Sequence, residues 1–266
     1  MFADLLHQIR SYRKRRVHRR FFEDDRRAFY EKIYQGNAEP SVLTGPFRGM
    51  AYLNTSDFGP IAPKWFGSYE AEIQDLVCEL CERGYETVLN IGSAEGYYAV
   101  GFARASAAPR IIAFDIDPLA RRALAALAQM NGVADRIEIR KICTWNVLND
   151  LRSEKQLLLV DIEGAEMDLL DPVECDALRR SDILVESHQS RDIGNRNKIE
   201  ETICNRFAAT HDIRRRQQTD RSEWIAANRD VWVKRLSEEE VVRATNEFRT
   251  SNQVWLWLKS KKSHCG

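Results

Sequence analysis

Short apolar runs alternate with amphipathic stretches from about residue 68 to the C-terminus. Runs of three to five apolar residues are typical of buried strands, whereas apolar residues spaced three and four apart predict helices between them. The predicted strands are Thr87–Ile91, Ile111–Phe114, Ile137–Ile139, Leu157–Val160, Ile183–Val185 and Val254–Leu258. This alternation predicts an α/β fold: a doubly wound (Rossmann-like), mostly parallel sheet that is covered by helices on both faces.

Capping residues mark the ends of several predicted helices. Ser, Asp and Thr side chains accept hydrogen bonds from the free backbone N–H groups of a first helical turn, and proline is favoured just inside it. The predicted helices are Ser68 to Arg83 with Gly84 as its stop, Gly96 to Ala105, Asp117–Pro118 to Asn131, residues 195–207, and a last helix that begins with the capping box Ser237–Glu240.

The first 67 residues have a different pattern, and we predict that they form an N-terminal extension to a domain covering residues 68–266. Residues 1–35 are charged and helical in pattern, and the segment Arg10–Arg20 contains seven basic residues and no acid. Such a run is usually a solvated helix face, and a patch for anionic lipid, nucleic acid or a phosphorylated substrate is the alternative. Residues 36–67 combine glycine and proline with aromatic residues, which is typical of a lid or pocket wall.

Charge and composition exclude several classes of protein. Forty basic residues balance forty acidic ones, so the whole chain does not favour nucleic acid as a partner. No apolar stretch approaches the roughly 20 residues that a membrane span needs, and we expect a cytoplasmic protein. Cys78 and Cys81 form a C-x-x-C pair inside a helical pattern, without a second pair or clustered histidines, so we predict buried thiols rather than a zinc site.

The loop after the first predicted strand carries the first chemical signal. Gly92 permits a tight turn, and Gly96 lets the next helix begin close to the sheet. The loop lacks the third glycine of a dinucleotide fingerprint, and Glu95 would compete with a pyrophosphate for the helix N-terminus. A cationic ligand without phosphate fits better, and S-adenosylmethionine is one. Asp115 ends the second strand 23 residues beyond Gly92, close to the spacing of an acid that binds ribose hydroxyls.

Ionisable residues also follow two later strands. Asp161 and Glu163 come after Leu157–Val160, and the two-residue period of a strand places them on one side. Glu166 follows closely, where a helix cap explains it equally well. Glu186 and His188 alternate in the same way after Ile183–Val185, and a structural role for His188 is as plausible as a catalytic one. Because parallel strands end at one edge, we expect these groups to be neighbours.

Together, these motifs resemble the FkbM-type methyltransferases, which use S-adenosylmethionine and whose best-known members methylate oxygens of polyketides and sugars. The resemblance covers about residues 68–190 and is carried by Asn90-x-Gly92-x-x-x-Gly96, Ala113-Phe114-Asp115, Asp161-Ile162-Glu163-Gly164-Ala165-Glu166 and Val185-Glu186-Ser187-His188. It implies a seven-stranded sheet with one antiparallel strand, supplied by Val254–Leu258. It also implies that the cofactor is S-adenosylmethionine and that the acceptor is a hydroxyl of a small molecule, glycan or natural product.

The resemblance assigns residues to the cofactor one by one. Gly92 and Gly96 line its methionine part, Asp115 binds the ribose, and Cys143 lies beside the adenine. Asn90 stands where many members have an acid, and Glu95 takes over the interaction with the ammonium group. The full set expected at the cofactor is Asn90, Gly92, Ser93, Glu95, Gly96, Asp115, Cys143 and Asp161.

Methyl transfer to a hydroxyl requires alignment of the reacting atoms and removal of a proton. We predict His188 as the base, oriented by Glu186 or Asp161, with Glu163 beside them. A divalent metal, Mg²⁺ or Mn²⁺, held by the same cluster is the less favoured alternative.

Three other functions share parts of this pattern. An RNA or protein methyltransferase is supported by the Arg10–Arg20 run alone. A non-catalytic S-adenosylmethionine-binding protein is supported by Asn90, although the retained acids and His188 argue against it. A nicotinamide oxidoreductase shares the fold class but would have to tolerate Glu95. The sequence gives no indication of the oligomeric state.

Overall fold

The computed structural model describes residues 19–35, 39–55, 57–188, 198–249 and 253–262. The strands are β1 (Thr87–Ile91), β2 (Arg110–Phe114), β3 (Ile137–Arg140), β4 (Gln156–Val160), β5 (Asp182–Ser187), β6 (His211–Gln217) and β7 (Val254–Ser260). The helices are α1 (residues 19–34 as described), α2 (Ala62–Phe66), α3 (Gln74–Glu82), α4 (Tyr97–Ala105), α5 (Pro118–Met130), α6 (Trp145–Asp150), α7 (Glu166–Leu169), α8 (Lys198–Phe207), α9 (Ser222–Ala227), α10 (Arg229–Trp232) and α11 (Glu238–Ala244).

The seven strands form one sheet in the order β3-β2-β1-β4-β5-β7-β6. β7 runs antiparallel to both of its neighbours, and the other pairs are parallel. The predicted α/β fold and its single antiparallel strand are therefore confirmed. Since Ile91 pairs with Val160, and Val160 with Val185, the carboxyl ends of β1, β4 and β5 lie side by side.

The core lies on both faces of the sheet, as the alternation of side chains along a strand requires. On β1, Val88 belongs to one apolar cluster, whereas Leu89 and Ile91 belong to the other. Every residue of β1 and β4 is buried, in agreement with their mostly apolar sequences; Thr87, Asn90 and Gln156 are the polar exceptions.

Most predicted helix ends are confirmed, and one is wrong. The Asp117 carboxylate accepts a hydrogen bond from the Leu119 N–H at 2.9 Å, and Ser237 with Glu240 forms the expected capping box. The helix predicted to begin at Ser68 instead begins with a 3₁₀ turn at Ala71–Ile73 that continues into α3. Ser68 is buried and its hydroxyl donates to the Pro63 carbonyl, so it does not cap a helix.

Other corrections concern exposed or polar segments. β6 was not predicted, because it is an edge strand with mostly exposed polar residues. Cys81 is buried as predicted, but Cys78 is exposed. Residues 195–197 of the predicted helix and residues 10–18 of the basic run lie outside the described residues.

The described part of the predicted extension packs into the same core as the sheet. Most of its aromatic side chains lie in the cluster that includes Val88, whereas Phe21 is exposed. Trp65 is fully buried. The Asn131 side chain, at the end of α5, accepts from the N–H and donates to the C=O of Ala51, both at 2.9 Å, which fixes this segment to the end of α5. The boundary at residue 67 stays a prediction. In the described ranges, no helix is long and apolar enough to cross a membrane.

Candidate functional site

The loop between β1 and α4 is held tightly against β2 and β4. Gly92 has φ of +82°, and a Cβ atom there would lie 1.7 Å from the Asp161 carbonyl oxygen. The Gly92 and Ser93 N–H groups donate to the Phe114 carbonyl at 2.8 and 3.0 Å. Only glycine satisfies both the backbone angle and the close approach, so Gly92 brings the ends of three strands together.

Asp115 shapes this loop through its carboxylate. One oxygen accepts from the Ala94 N–H and the other from the Asp117 N–H, both at 2.8 Å. Asp115 is half-buried at the end of β2, so its side chain remains accessible from the edge of the sheet. Its predicted contact with a ribose stays a prediction.

Glu95 is buried and has partners that the sequence did not reveal. Its Oε1 atom accepts from the Tyr52 hydroxyl at 2.7 Å and pairs with the Lys64 ammonium group. Burial, together with the charge of Glu95, raises the pKa of Tyr52 well above its usual range, so Tyr52 stays a donor. The signal for Lys64 was its position as the lone charge in the apolar segment of α2.

Among the buried polar atoms that have no hydrogen-bond partner within the described structure, four belong to β1, to the loop itself and to the residue after β4. They are Asn90 Oδ1, Ser93 Oγ, Glu95 Oε2 and Asp161 Oδ1. Three of the four accept hydrogen bonds only, and the fourth is a hydroxyl. Since buried polar atoms are normally paired, this set fits a ligand that supplies donors or positive charge, and it does not fit a pyrophosphate.

The ends of β2 and β3 present apolar surface next to this loop. Ile116 is 44% exposed and Ile142 is 57% exposed, whereas Cys143 is half-buried. Burial raises the pKa of the Cys143 thiol to about 12, so it is not a nucleophile at neutral pH. These positions suit the face of a planar, weakly polar ring.

A second group of ionisable side chains lies at the ends of β4 and β5. His188 Nε2 is 3.5 Å from Asp161 Oδ1 and 3.8 Å from Glu186 Oε2. The pairing of Val160 with Val185 makes the next residues, Asp161 and Glu186, neighbours across the two strands. The structure therefore brings together three of the four predicted catalytic residues.

The carboxylate that orients His188 is Glu166, rather than the predicted Glu186 or Asp161. Glu166 Oε1 lies 2.6 Å from His188 Nδ1 and also accepts from the Gly164 N–H at 3.1 Å. The Glu166 side chain is completely buried. From the sequence alone, a helix cap was an adequate explanation of Glu166. Its complete burial against His188 indicates that it orients the histidine.

Crowding of acids in a buried site shifts the pKa values of the cluster. Burial raises the pKa of Asp161 to about 6, and the negative charges of Glu70 and Glu163 act in the same direction. Burial and the charge of Asp161 raise the pKa of Glu186 well above its usual range. Burial alone would lower the pKa of His188, but the hydrogen bond with Glu166 and the nearby carboxylates more than offset it, and the net shift is upward.

Glu163, the fourth predicted catalytic residue, lies on the rim of this cluster. It is exposed on the turn after β4, with φ of +56°. Its charge contributes to the raised pKa values of Asp161 and His188, so its effect on the cluster is electrostatic.

Two buried arginines connect the cluster to the C-terminal helices. Arg249 pairs through Nη1 with Glu186 Oε1, and through Nη2 with Glu70 Oε1 at 2.6 Å. Its Nε atom pairs with Glu247 at 2.8 Å. Arg221 pairs with the same Glu247 and, at 2.9 Å, with Glu72. We call this series the arginine ladder; it runs Glu72–Arg221–Glu247–Arg249–Glu186.

Comparisons with known proteins return methyltransferases. No family model matches the chain. The ribosomal protein L11 methyltransferase of Pelotomaculum thermopropionicum is 31% identical over an alignment of 150 residues, and the match covers 48% of this chain and 47% of that protein. The chain thus matches about half the length of this curated relative. The resemblance to FkbM-type enzymes stays a prediction.

Solved structures with similar backbones include three methyltransferases. The O-methyltransferase TomG of Streptomyces achromogenes is 16% identical over 70% of this chain and 78% of that chain, with a TM-score of 0.46. The O-methyltransferase of Bacillus cereus is 12% identical over 72% and 81%, with a TM-score of 0.45. The ribosomal protein L11 methylase of Lactobacillus delbrueckii is 16% identical over 70% and 76%, with a TM-score of 0.43. Scores and identities this low do not assign a function to this chain.

Proposed function

We propose that this protein is an S-adenosylmethionine-dependent methyltransferase and that its acceptor is a hydroxyl group. One observation carries the proposal: the unpartnered acceptor atoms of the β1–α4 loop adjoin the Asp161–Glu186–His188 cluster, and Asp161 belongs to both groups. A site for the methyl donor and a group that can accept a proton therefore lie at the same edge of the sheet. The name of the 31% identical relative, a methyltransferase, supports the same chemistry.

The loop residues fit S-adenosylmethionine because of the kind of atoms they leave unpaired. Asn90, Ser93 and Glu95 would receive its ammonium group, and Asp115 its ribose hydroxyls. The exposed apolar side chains of Ile116 and Ile142 would flank its adenine. When bound, this cofactor supplies an activated methyl group on a positively charged sulfur.

The Asp161–Glu186–His188 cluster would take up the proton that the acceptor hydroxyl loses. Glu166 holds His188 at Nδ1, so Nε2 faces Asp161 and Glu186. The His188 side chain is 14% exposed, which lets a bound hydroxyl reach the ring. In the metal-free cluster, His188 Nε2 would take the proton of the hydroxyl as the methyl group is transferred, in the manner of a general base.

Methylation of a protein is the second candidate function. It is favoured by the relative, whose name specifies ribosomal protein L11 as the substrate. A positively charged amine would also be attracted to this site, because its carboxylates outnumber its cationic side chains. The cluster at β4 and β5 argues in turn against a protein that only binds the cofactor, because cofactor binding alone needs neither His188 nor Glu166.

Calorimetry and label transfer test these proposals in sequence. Titration of the full chain with S-adenosylmethionine and, separately, with NAD should give saturable binding for the first ligand alone. Protein with bound methyl-labelled cofactor is then offered hydroxylated glycans and natural products in one series, and basic proteins in another. Equal affinity for NAD would overturn the cofactor assignment, and label found on amines alone would replace the hydroxyl acceptor by the second candidate.

A further inference from the structure

We propose that Asp161, Glu186 and His188 form a binding site for one divalent cation of the Mg²⁺ or Mn²⁺ type. The proposal deepens the proposed function, because the cation would lie at the edge of the sheet where the acceptor is expected. Its binding, however, is a property of three side chains and can be measured without any methyl transfer.

Three potential ligand atoms lie close together at the ends of β4 and β5. One oxygen each from Asp161 and Glu186 and one ring nitrogen of His188 lie within 4.8 Å of one another. The separations of the two oxygens from Nε2, 3.5 and 3.8 Å, are too long for direct hydrogen bonds. They fall between the separations of about 3 Å and about 4 Å expected for adjacent and opposite ligands of a cation with bonds near 2.1 Å.

In His188 and Glu186, the second polar atom of the side chain is already engaged, so the free atom faces the cluster. Glu166 holds His188 at Nδ1, so the Nε2 lone pair points away from Glu166. A carboxylate at the far nitrogen is the usual outer partner of a histidine that binds a metal. Arg249 engages Glu186 Oε1 and leaves Oε2 facing Nε2.

One atom of the cluster is unsatisfied in the described structure. Asp161 Oδ1 is buried and accepts no hydrogen bond from a donor group there, although the Asp161 side chain as a whole is 34% exposed. A buried carboxylate oxygen without a partner is costly, and a cation between Asp161, Glu186 and His188 would satisfy it together with the other two ligand atoms.

The ligand set selects the kind of cation. Two carboxylates and one imidazole favour a hard or borderline divalent ion, and no thiol of the described cysteines belongs to the cluster. Three protein ligands leave coordination positions open for water or a substrate hydroxyl. A hydroxyl bound there would have a lower pKa and would lose its proton to water, while His188 would serve as a ligand instead of a base.

Titration with Mn²⁺ tests the site directly. The full-length protein is treated with EDTA, dialysed and titrated with MnCl₂, and free Mn²⁺ is followed by its electron paramagnetic resonance signal. We expect one Mn²⁺ per chain. His188→Ala and Asp161→Asn should weaken binding at least about tenfold, and Glu166→Gln about tenfold, as loss of an outer partner does.

A matched control separates the cluster from general surface acidity. Asp168→Asn removes an exposed acid from α7, two residues after Glu166, and should bind Mn²⁺ as the unmodified protein does. Thermal melting of each variant shows whether its fold is intact. Variants that bind Mn²⁺ unchanged without His188 or Asp161 would overturn the proposal, as would an unmodified protein that binds no Mn²⁺ or binds it without a defined stoichiometry.

A parallel titration distinguishes this proposal from the proposed function. S-adenosylhomocysteine is titrated into the EDTA-treated protein by calorimetry. If the protein binds S-adenosylhomocysteine but not Mn²⁺, the cation site is overturned and the methyltransferase proposal is unaffected. If it binds Mn²⁺ but not S-adenosylhomocysteine, the cation site is supported and the methyltransferase proposal is overturned.

Discussion

The two halves of the candidate site are built in different ways. The β1–α4 loop is fixed mainly by backbone groups, such as the Gly92 and Ser93 N–H groups on the Phe114 carbonyl. The cluster at β4 and β5 is fixed by side chains, in which His188 contacts Glu166 and Glu186 contacts Arg249. The loop therefore depends on the shape of the chain, and the cluster depends on the identity of its ionisable groups.

This difference predicts how each half responds to substitution. A change in the loop should disturb folding and ligand affinity, because the backbone of three strands meets there. A change in the cluster should act mainly on the rate of reaction. Asp161 is the exception, since its carbonyl oxygen touches Gly92 and its carboxylate belongs to the cluster.

Gly92→Ala should have the largest effect. The new Cβ would lie 1.7 Å from the Asp161 carbonyl oxygen, so the ends of β1 and β4 would have to separate. We expect a loss of at least ~3 kcal/mol in the free energy of unfolding, measured with urea, and loss of cofactor binding.

Gly132→Ala is the matched control for this change. Gly132 also has a positive φ, +65°, but nothing lies within 4 Å of its Cβ position. The positive φ angle alone should lower the free energy of unfolding of this variant by about 1–2 kcal/mol. Equal losses for the two variants would contradict the idea that close strand approach makes Gly92 necessary.

His188→Ala should have the next largest effect, confined to the reaction. Loss of the group that takes up or helps to release the proton should lower turnover about 100- to 10,000-fold. Cofactor affinity, measured by calorimetry, should stay within about twofold, because His188 is not among the loop's unpartnered atoms. A parallel fall in affinity would show that the two halves are not separable.

Glu95→Gln should have the smallest effect, and it should act on affinity. Replacing the carboxylate by an amide weakens a charge-assisted contact with the ammonium group, so we expect affinity to fall about tenfold with turnover at saturation retained. Since this change leaves Lys64 buried without its partner, the double variant Lys64→Met/Glu95→Gln serves as a stability control. Tyr52→Phe, which keeps the carboxylate, should bind nearly as well as the unmodified protein; comparable losses for Tyr52→Phe and Glu95→Gln would contradict a direct role for the carboxylate.

The sequence predicted what depends on short-range pattern. The positions of most strands, the Asp117 cap and the neighbourhood of Asp161, Glu186 and His188 follow from apolar runs, capping residues and the geometry of parallel strands. The antiparallel direction of β7 was implied only by the resemblance to FkbM-type enzymes. β6 escaped prediction because its residues are mostly polar and exposed, which is how edge strands avoid pairing with other chains.

Long-range partners could not be predicted, because nothing local specifies them. Lys64 is 31 residues from Glu95, and Arg249 is 63 residues from Glu186. The role of Glu166 was hidden for another reason: an acid at a helix start is favourable by itself. Its contact with His188 joins residues 22 positions apart, so no local pattern specifies it.

The arginine ladder also bears on the conditions under which the site keeps its shape. Dissolved salt screens exposed ion pairs strongly and buried ones only weakly. The Arg221 and Arg249 side chains are 8% and 9% exposed, whereas surface pairs such as Arg216–Asp75 are open to solvent. High ionic strength should therefore weaken the exposed ion pairs of β6 at salt concentrations that leave the buried Arg249–Glu186 pair intact. The cluster at the ends of β4 and β5 should keep its geometry in concentrated salt.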